Sequence, residues 1–200
     1  MQKSFSANSG QSLTGAIQDK LADSIRTKEQ VLKTLVPVIE QAAHLLIDAL
    51  ANGKKILICG NGGSAADSQH IAAELVGKLC IKRRALPAIA LTTDTSNLTA
   101  VGNDFGYEWI FQRQVEALGQ PGDVLLGIST SGKSPNVLSA VKTARDQKMK
   151  VLAFSGGEGG PLAKAADVAV VIPSTNTQRI QESHITVGHV LCELIEARFA

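Results

Sequence analysis

The sequence has few aromatic residues, few cysteines and no long apolar run. Phe, Trp and Tyr together make up 4% of the 200 residues. The three cysteines, Cys59, Cys80 and Cys192, form no CxxC pair, which excludes a zinc knuckle or a disulfide framework. No apolar run approaches the roughly 20 residues of a membrane-spanning helix, and the polar first 15 residues lack the apolar core of a signal peptide. These absences predict a reduced, cytoplasmic protein that does not enter a membrane.

Neither sign of charge dominates the chain. The 20 Lys and Arg residues against 18 Asp and Glu residues give a net charge of +2. A nucleic-acid-binding surface usually requires a basic patch, so this balance weighs against direct binding of nucleic acid. With 44% hydrophobic and 19% charged residues, the chain is globular in composition. We predict a single domain over residues 1–200, with an N-terminal helical extension over about residues 1–52.

The hydrophobic pattern changes after this N-terminal part. Apolar residues recur every three or four positions from Ala16 to Asn52, which predicts helix, kinked or divided at Pro37. Five short apolar runs follow, each ending in a polar or glycine-containing loop, at residues 55–59, 88–91, 123–128, 150–154 and 168–172. Most are separated by helical stretches, at residues 64–79, about 107–118 and 135–148, and a last helix runs from about 177 to 199. This alternation predicts an α/β fold with a five-stranded parallel sheet, which binds ligands at the carboxyl ends of its strands.

Two of the strand-end loops are rich in Gly, Ser and Thr. They are residues 60–64 (GNGGS) and residues 129–134 (STSGKS), and each opens a helix. Backbone N–H groups, hydroxyls and a helix N-terminus together favour an anion. One such loop alone is more often a tight turn with a helix cap, but two in one small α/β domain favour phosphate binding.

The second loop also fits the nucleotide-binding pattern GxxxxGK[ST], from Gly127 to Ser134. Its context argues against a nucleotide, because Gly127 lies inside an apolar run and no later strand ends in a clear metal-holding Asp. We therefore expect a monophosphate held by hydroxyls and backbone, with Lys133 facing solvent.

Two helices carry the remaining candidates. His70 and Glu74 are four residues apart and share a helix face, which suits a metal pair, an acid/base pair or a plain exposed polar pair. The last helix carries Gln181, Glu182, His184 and His189. Periodicity does not choose among these four, and composition does not show that the two helices meet. His184 is expected to face solvent or a neighbouring subunit.

A longer run, CGNGGSAADSQHIAAE from Cys59 to Glu74, resembles the opening motif of phosphoheptose isomerases, which are sugar isomerase (SIS) domain proteins. The resemblance continues in order through residues 91–96 (LTTDTS), 102–106 (GNDFG), 122–132 (GDVLLGISTSG) and 179–184 (RIQESH), and on to His189. It covers nearly the whole chain from about Ile17. It implies a three-layer α/β/α sandwich with a flavodoxin-like five-stranded sheet and N-terminal helices.

The resemblance also implies an activity and a site. It implies a homotetramer that interconverts sedoheptulose 7-phosphate and D-glycero-D-manno-heptose 7-phosphate, the entry step to the heptose of lipopolysaccharide. One zinc ion per subunit is implied on His70, Glu74, Gln181 and His189, with Glu74 as the base and His189 as its acid/base partner. The implied substrate-binding residues are Asn61, Gly62, Gly63, Ser64, Glu74, Asn103, Asp104, Ser129, Thr130, Ser131, Ser134 and Gln181. Lys78 and Gln178 stand where some family members have Arg and Asp, so their roles here stay open.

Two other functions compete with the isomerase. A non-catalytic SIS relative that binds the replication initiator DnaA would share the fold but lack the glutamate after the QHxAA histidine. The presence of Glu74, Gln181 and His189 favours the enzyme. A sugar-phosphate-sensing transcription regulator would need a DNA-binding module, and the first 50 residues lack the basic helix-turn-helix character for one.

Overall fold

The computed structural model describes residues 12–200, which form a central parallel sheet flanked by helices. In chain order the elements are α1 (Leu13–Thr34), α2 (Val36–Ala51), β1 (Ile56–Gly60), α3 (Gly63–Val76), β2 (Ala88–Ala90), α4 (Thr95–Asp104), a 3-10 turn (Tyr107–Trp109), α5 (Gln112–Leu118), β3 (Val124–Ile128), α6 (Pro135–Asp146), β4 (Lys150–Gly156), α7 (Gly160–Ala165), β5 (Val168–Ile172) and α8 (Thr177–Phe199). The five predicted strands are confirmed. Helices α4 and α7 were not predicted.

The five strands form one sheet in the order β2-β1-β3-β4-β5, and every pair is parallel. Strands β1 and β3 consist entirely of buried residues, as expected for the centre of a sheet covered on both faces. From β1 the chain goes first to β2 on one side and then to β3 on the other side, so the strand order reverses between β1 and β3. The loops after β1 and β3 therefore leave the sheet side by side, at the position where open α/β sheets bind their ligands.

The helices cover both faces of the sheet and bury two hydrophobic clusters. One cluster joins the sheet to α2, α3 and α8 and includes Leu46, Ile71 and Leu191. The other joins the opposite face to α5, α6 and α7 and includes Val115 and Val141. The predicted three-layer α/β/α sandwich is thereby confirmed.

The N-terminal helical stretch is divided close to the predicted position. Helix α1 ends at Thr34, and α2 starts at Val36 with Pro37 in its first turn, where the missing proline N–H costs no intrahelical hydrogen bond. The two helices meet at an angle of 73°. Within residues 12–200, no single helix is long and apolar enough to cross a membrane; only this bent pair, taken together, has the necessary length and composition.

Candidate active site

The loop after β1 leads directly into α3 at the centre of the sheet. Gly62 adopts φ +56°, a left-handed conformation that glycine takes without strain. Helix α3 then starts at Gly63, and Ser64 is buried in its first turn. The N–H groups of Ser64 and Ala65 in this turn donate to the carbonyl oxygens of Asn61 and Gly62. The positive end of the helix dipole lies at the carboxyl end of β1, which suits an anion.

The loop after β3 gathers hydroxyl groups at the start of α6. Ser129 Oγ lies 2.8 Å from Ser134 Oγ and 3.4 Å from Ser131 Oγ. Ser131 Oγ also accepts a hydrogen bond from the backbone N–H of Lys133, whose side chain is exposed as expected. Thr130 lies in the same loop. The predicted hydroxyl cluster is therefore present, and it lies at the N-terminus of a twelve-residue helix.

Side-chain amides connect the two loops. Asn61, in the first loop, forms two hydrogen bonds with Asn136, in the first turn of α6. The hydroxyl of Tyr107 donates a third hydrogen bond to Asn61 Oδ1 at 3.2 Å. These hydrogen bonds therefore link the loop after β1 to the helix that follows the loop after β3.

Helices α3 and α8 cross beside these loops and bring the predicted His and Glu residues together. His70 Nε2 lies 2.8 Å from His189 Nε2 and 3.4 Å from Glu74 Oε1. One ligand atom from each of the three residues lies within 4.8 Å of the others. His70 is about half exposed and Glu74 is 17% exposed, so the group is open to a small molecule from one side.

Gln181 lies on the same side of α8, against the start of α3. Its Nε2 donates to both carboxylate oxygens of Asp67, at 3.0 and 3.3 Å. Because the amide nitrogen is engaged, Gln181 presents its oxygen for other contacts. Burial raises the pKa of Asp67, against the opposing effects of the Gln181 hydrogen bond and of His70.

The chemistry of this donor set fits a divalent metal ion. Two imidazole nitrogens and one carboxylate oxygen are the ligands that zinc takes in catalytic sites. The two Nε2 atoms face each other at hydrogen-bond distance, so one of them must carry a proton when no cation lies between them. His70, Glu74 and His189 could therefore hold the ion, and the Gln181 oxygen is the fourth candidate.

The other predicted residues lie at the edges of the site or outside it. Asn103 and Asp104 end α4, are exposed, and hydrogen-bond each other at 2.8 Å. Lys78 and Gln178 are exposed; Lys78 lies two residues after the end of α3, and Gln178 lies at the start of α8. The expectation for His184 was wrong. It is fully buried against Phe154, because α8 turns this side chain toward the sheet.

The chain resembles known proteins over nearly its whole length. Residues 21–156 match the model of the SIS domain family. A phosphoheptose isomerase from Nitratiruptor sp. is 54% identical over 183 residues, which cover 92% of this chain and 98% of that protein. The chain belongs to the phosphoheptose isomerase family.

Two solved phosphoheptose isomerases share its structure. The one from Neisseria gonorrhoeae gives a TM-score of 0.89 at 49% identity and covers 93% of this chain and 100% of that chain. The one from Francisella tularensis gives 0.91 at 43% identity and covers 94% and 100%. The predicted family is confirmed, and the DnaA-binding alternative gains no support from these comparisons.

Sequence reasoning missed several residues that hold this candidate site together. Asn136 hydrogen-bonds the candidate substrate-binding residue Asn61, and Asp67 hydrogen-bonds the candidate metal ligand Gln181. Both Asn136 and Asp67 are buried. They lie 75 and 114 residues from their partners, so no local spacing points to either pair. The sequence indicated these two residues only indirectly. Asp67 and Asn136 are polar residues in the first two turns of helices that follow the candidate phosphate loops.

The sequence analysis also missed a buried ion pair between Arg83 and Glu196, which lies beside the segment that follows α3. The Glu196 carboxylate accepts backbone N–H groups of residues 79, 80 and 81, at 2.6 to 3.0 Å. Burial raises its pKa, but these donors and Arg83 outweigh burial and hold the pKa below its ordinary value. Arg83 also donates to the backbone carbonyl of Glu74 at 2.7 Å. The pair thus fixes the segment that follows the candidate base.

Proposed function

We propose that this chain interconverts sedoheptulose 7-phosphate and D-glycero-D-manno-heptose 7-phosphate through an enediol, as the first step toward the ADP-heptose of lipopolysaccharide. The observation that carries the proposal is the meeting of His70, Glu74 and His189 on helices that cross beside two anion-binding loops. About 10 Å of helix separates Gly63 from His70. This span is comparable with the length of an extended phosphorylated heptose, so one substrate could contact both parts.

The two loops would bind the phosphate. The hydroxyls of Ser129, Thr130, Ser131 and Ser134 would supply donors to its oxygens, and the N-terminal ends of α3 and α6 would favour its negative charge. Asn61, Gly62, Gly63 and Ser64 would border the same anion. Asn103 and Asp104 would bind sugar hydroxyls in this proposal.

Proton transfer is assigned to Glu74 and His189. The isomerisation moves a proton between adjacent carbons, so one base must remove it beside the carbonyl and return it to the neighbouring carbon. Glu74 takes this role, because its carboxylate is partly buried and faces the site. His189 serves the carbonyl oxygen, since its Nε2 lies in the same group.

His70, Glu74, Gln181 and His189 would hold one zinc ion per subunit. When bound, the ion supplies Lewis acidity toward the substrate oxygens. The Gln181 oxygen is oriented for ligation by the hydrogen bond between its amide nitrogen and Asp67.

We also propose a single-domain, cytoplasmic homotetramer that binds neither nucleic acid nor membrane. A groove of about 840 Å³ between α1, α2 and α8 is lined mainly by apolar side chains, including Leu32, Val36 and Leu194. These three side chains are 46–71% exposed in the single chain. Apolar surface of this extent is typical of a site covered by another protein surface.

The test is turnover of sedoheptulose 7-phosphate by the purified protein, before and after chelation and after zinc is added back. We expect activity that falls with chelator and returns with zinc. Glu74→Gln should lower kcat by about 10²–10⁴-fold, the usual contribution of a general base. Glu193→Gln, an exposed glutamate on α8, is the matched control and should leave kcat unchanged. No turnover, or near-normal turnover by Glu74→Gln, would contradict the proposal, and capture of DnaA would then be tested.

A further inference from the structure

The side-chain amide of Asn136 makes three hydrogen bonds. It is 1% exposed and lies in the first turn of α6. Its Oδ1 accepts from the backbone N–H of Val137 at 3.0 Å and from Asn61 Nδ2 at 2.9 Å. Its Nδ2 donates to Asn61 Oδ1 at 2.8 Å. The two amides thus form a closed, reciprocal pair.

The backbone determines which way this pair is oriented. The Val137 N–H can only donate, so the Asn136 atom beside it must be the oxygen. The Asn136 nitrogen then faces Asn61, and the atom of Asn61 that it meets must be an oxygen. One backbone donor at a helix N-terminus therefore sets the orientation of both side chains.

The orientation decides what Asn61 can offer to a ligand. Its Oδ1 already accepts from Asn136 and from the Tyr107 hydroxyl, which occupies both lone pairs. One N–H of its Nδ2 is engaged with Asn136. The remaining group is a single N–H, so Asn61 is held as a hydrogen-bond donor and has no acceptor left.

We propose that Asn136 is a positioning residue that holds Asn61 as a donor toward an oxygen of the sugar phosphate. The inference rests on the proposed isomerase function and on the assignment of Asn61 to the substrate site. It adds a residue that touches no substrate itself. It also predicts selectivity, because a donor-only Asn61 favours a phosphate or carbonyl oxygen over a group that must itself donate.

A capping role and a positioning role can be separated by substitution. Ser134 is the N-cap of α6, but its side chain makes no capping hydrogen bond and instead contacts Ser129. Asn136 therefore satisfies the Val137 N–H in its place. Asn136→Asp keeps an acceptor for that N–H but cannot donate to Asn61 Oδ1, so it preserves the cap and removes the positioning.

The experiment is a double-mutant cycle measured on sedoheptulose 7-phosphate turnover. We expect Asn136→Asp and Asn136→Ala each to lower kcat/KM about tenfold, the effect of one hydrogen bond, mainly through KM. In an Asn61→Ala background, the same two substitutions should have no further effect, because their partner is gone. Val141→Ala, a buried truncation five residues further along α6, controls for lost stability and should leave kcat/KM unchanged.

Three results would overturn the inference. They are wild-type kinetics in Asn136→Asp, full additivity of the substitutions at 61 and 136, and an unmoved Asn61 in a crystal structure of Asn136→Asp. Full additivity would also indicate that Asn136→Asp acts only through repulsion between its new carboxylate and the anionic substrate, because that repulsion does not require Asn61. If the wild-type protein has no turnover, the proposed function fails separately, and the crystal structure still decides whether Asn136 positions Asn61.

Discussion

Replacement of His184 should change how the stability of this protein depends on pH. The imidazole is fully buried, packs against the Phe154 ring at 5.5 Å, and its Nε2 lies 2.9 Å from the Ser155 carbonyl oxygen. Its Nδ1 is buried without a hydrogen-bond partner. A second proton on this ring would have no acceptor, so the neutral form is strongly favoured in the folded state.

The size of the effect follows from the pKa. Burial lowers the pKa of His184 from 6.5 to about 4, against an opposing contribution from the Ser155 carbonyl. Because the folded pKa lies below the unfolded one, the unfolded chain binds the proton first as pH falls. The stabilisation is fully present above pH 6.5 and is lost as pH falls toward 4. At about 1.4 kcal/mol per pKa unit, the loss reaches about 3 kcal/mol.

The measurement is urea unfolding of the wild type and of His184→Gln at fixed protein concentration, in steps from pH 7.5 to pH 4. Gln retains a donor toward Ser155 but does not titrate. We expect the wild type to lose about 3 kcal/mol more than the variant across this range. Equal pH slopes for the two proteins would refute the assignment of a depressed pKa to a neutral buried His184.

Two further predictions concern groups outside the catalytic residues. Glu196→Ala should lower the melting temperature well below that of the control Glu193→Ala, which changes an exposed residue on α8. The reason is that three backbone N–H groups and the buried Arg83 lose their acceptor. Equal melting temperatures would contradict this prediction. A thiol reagent should modify exposed Cys80 quickly, but Cys59 and Cys192 only on unfolding, since burial raises the pKa of both to about 12. Fast modification of three thiols in the native protein would be incompatible with this burial.

The sheet was predictable because its strands carry a strong local signal. All five runs contain at least three consecutive apolar residues, and a strand buried on both faces needs this pattern. Helix α4 escaped prediction because none of its ten residues is fully buried and its short apolar face consists mainly of Leu98 and Val101, which are only partly buried against the core. Helix α7 has only six residues and follows two glycines, which read as a loop.

The candidate site was only half predictable for the same physical reason. The α3 pair, His70 and Glu74, lies within one helix, where a spacing of four residues places both on one face. The choice of His189 over His184 depends instead on how α8 rotates against the sheet, which is a tertiary property. In the structure His184 faces the strands and His189 faces α3.

The crossing of α3 and α8 explains why the histidines meet. A Cβ atom on Gly63 would lie 3.1 Å from Gln181 Cδ, and one on Gly188 would lie 2.9 Å from Ile71 Cδ1. Gly63 of α3 therefore faces the Gln181 side chain of α8, and Gly188 of α8 faces the Ile71 side chain of α3. Because one partner of each contact is a glycine, the two helices approach more closely than two larger side chains would allow. His70 precedes Ile71, and His189 follows Gly188. The close contact at this second glycine thus places the Nε2 atoms of the two imidazoles 2.8 Å apart, within one candidate metal-binding group.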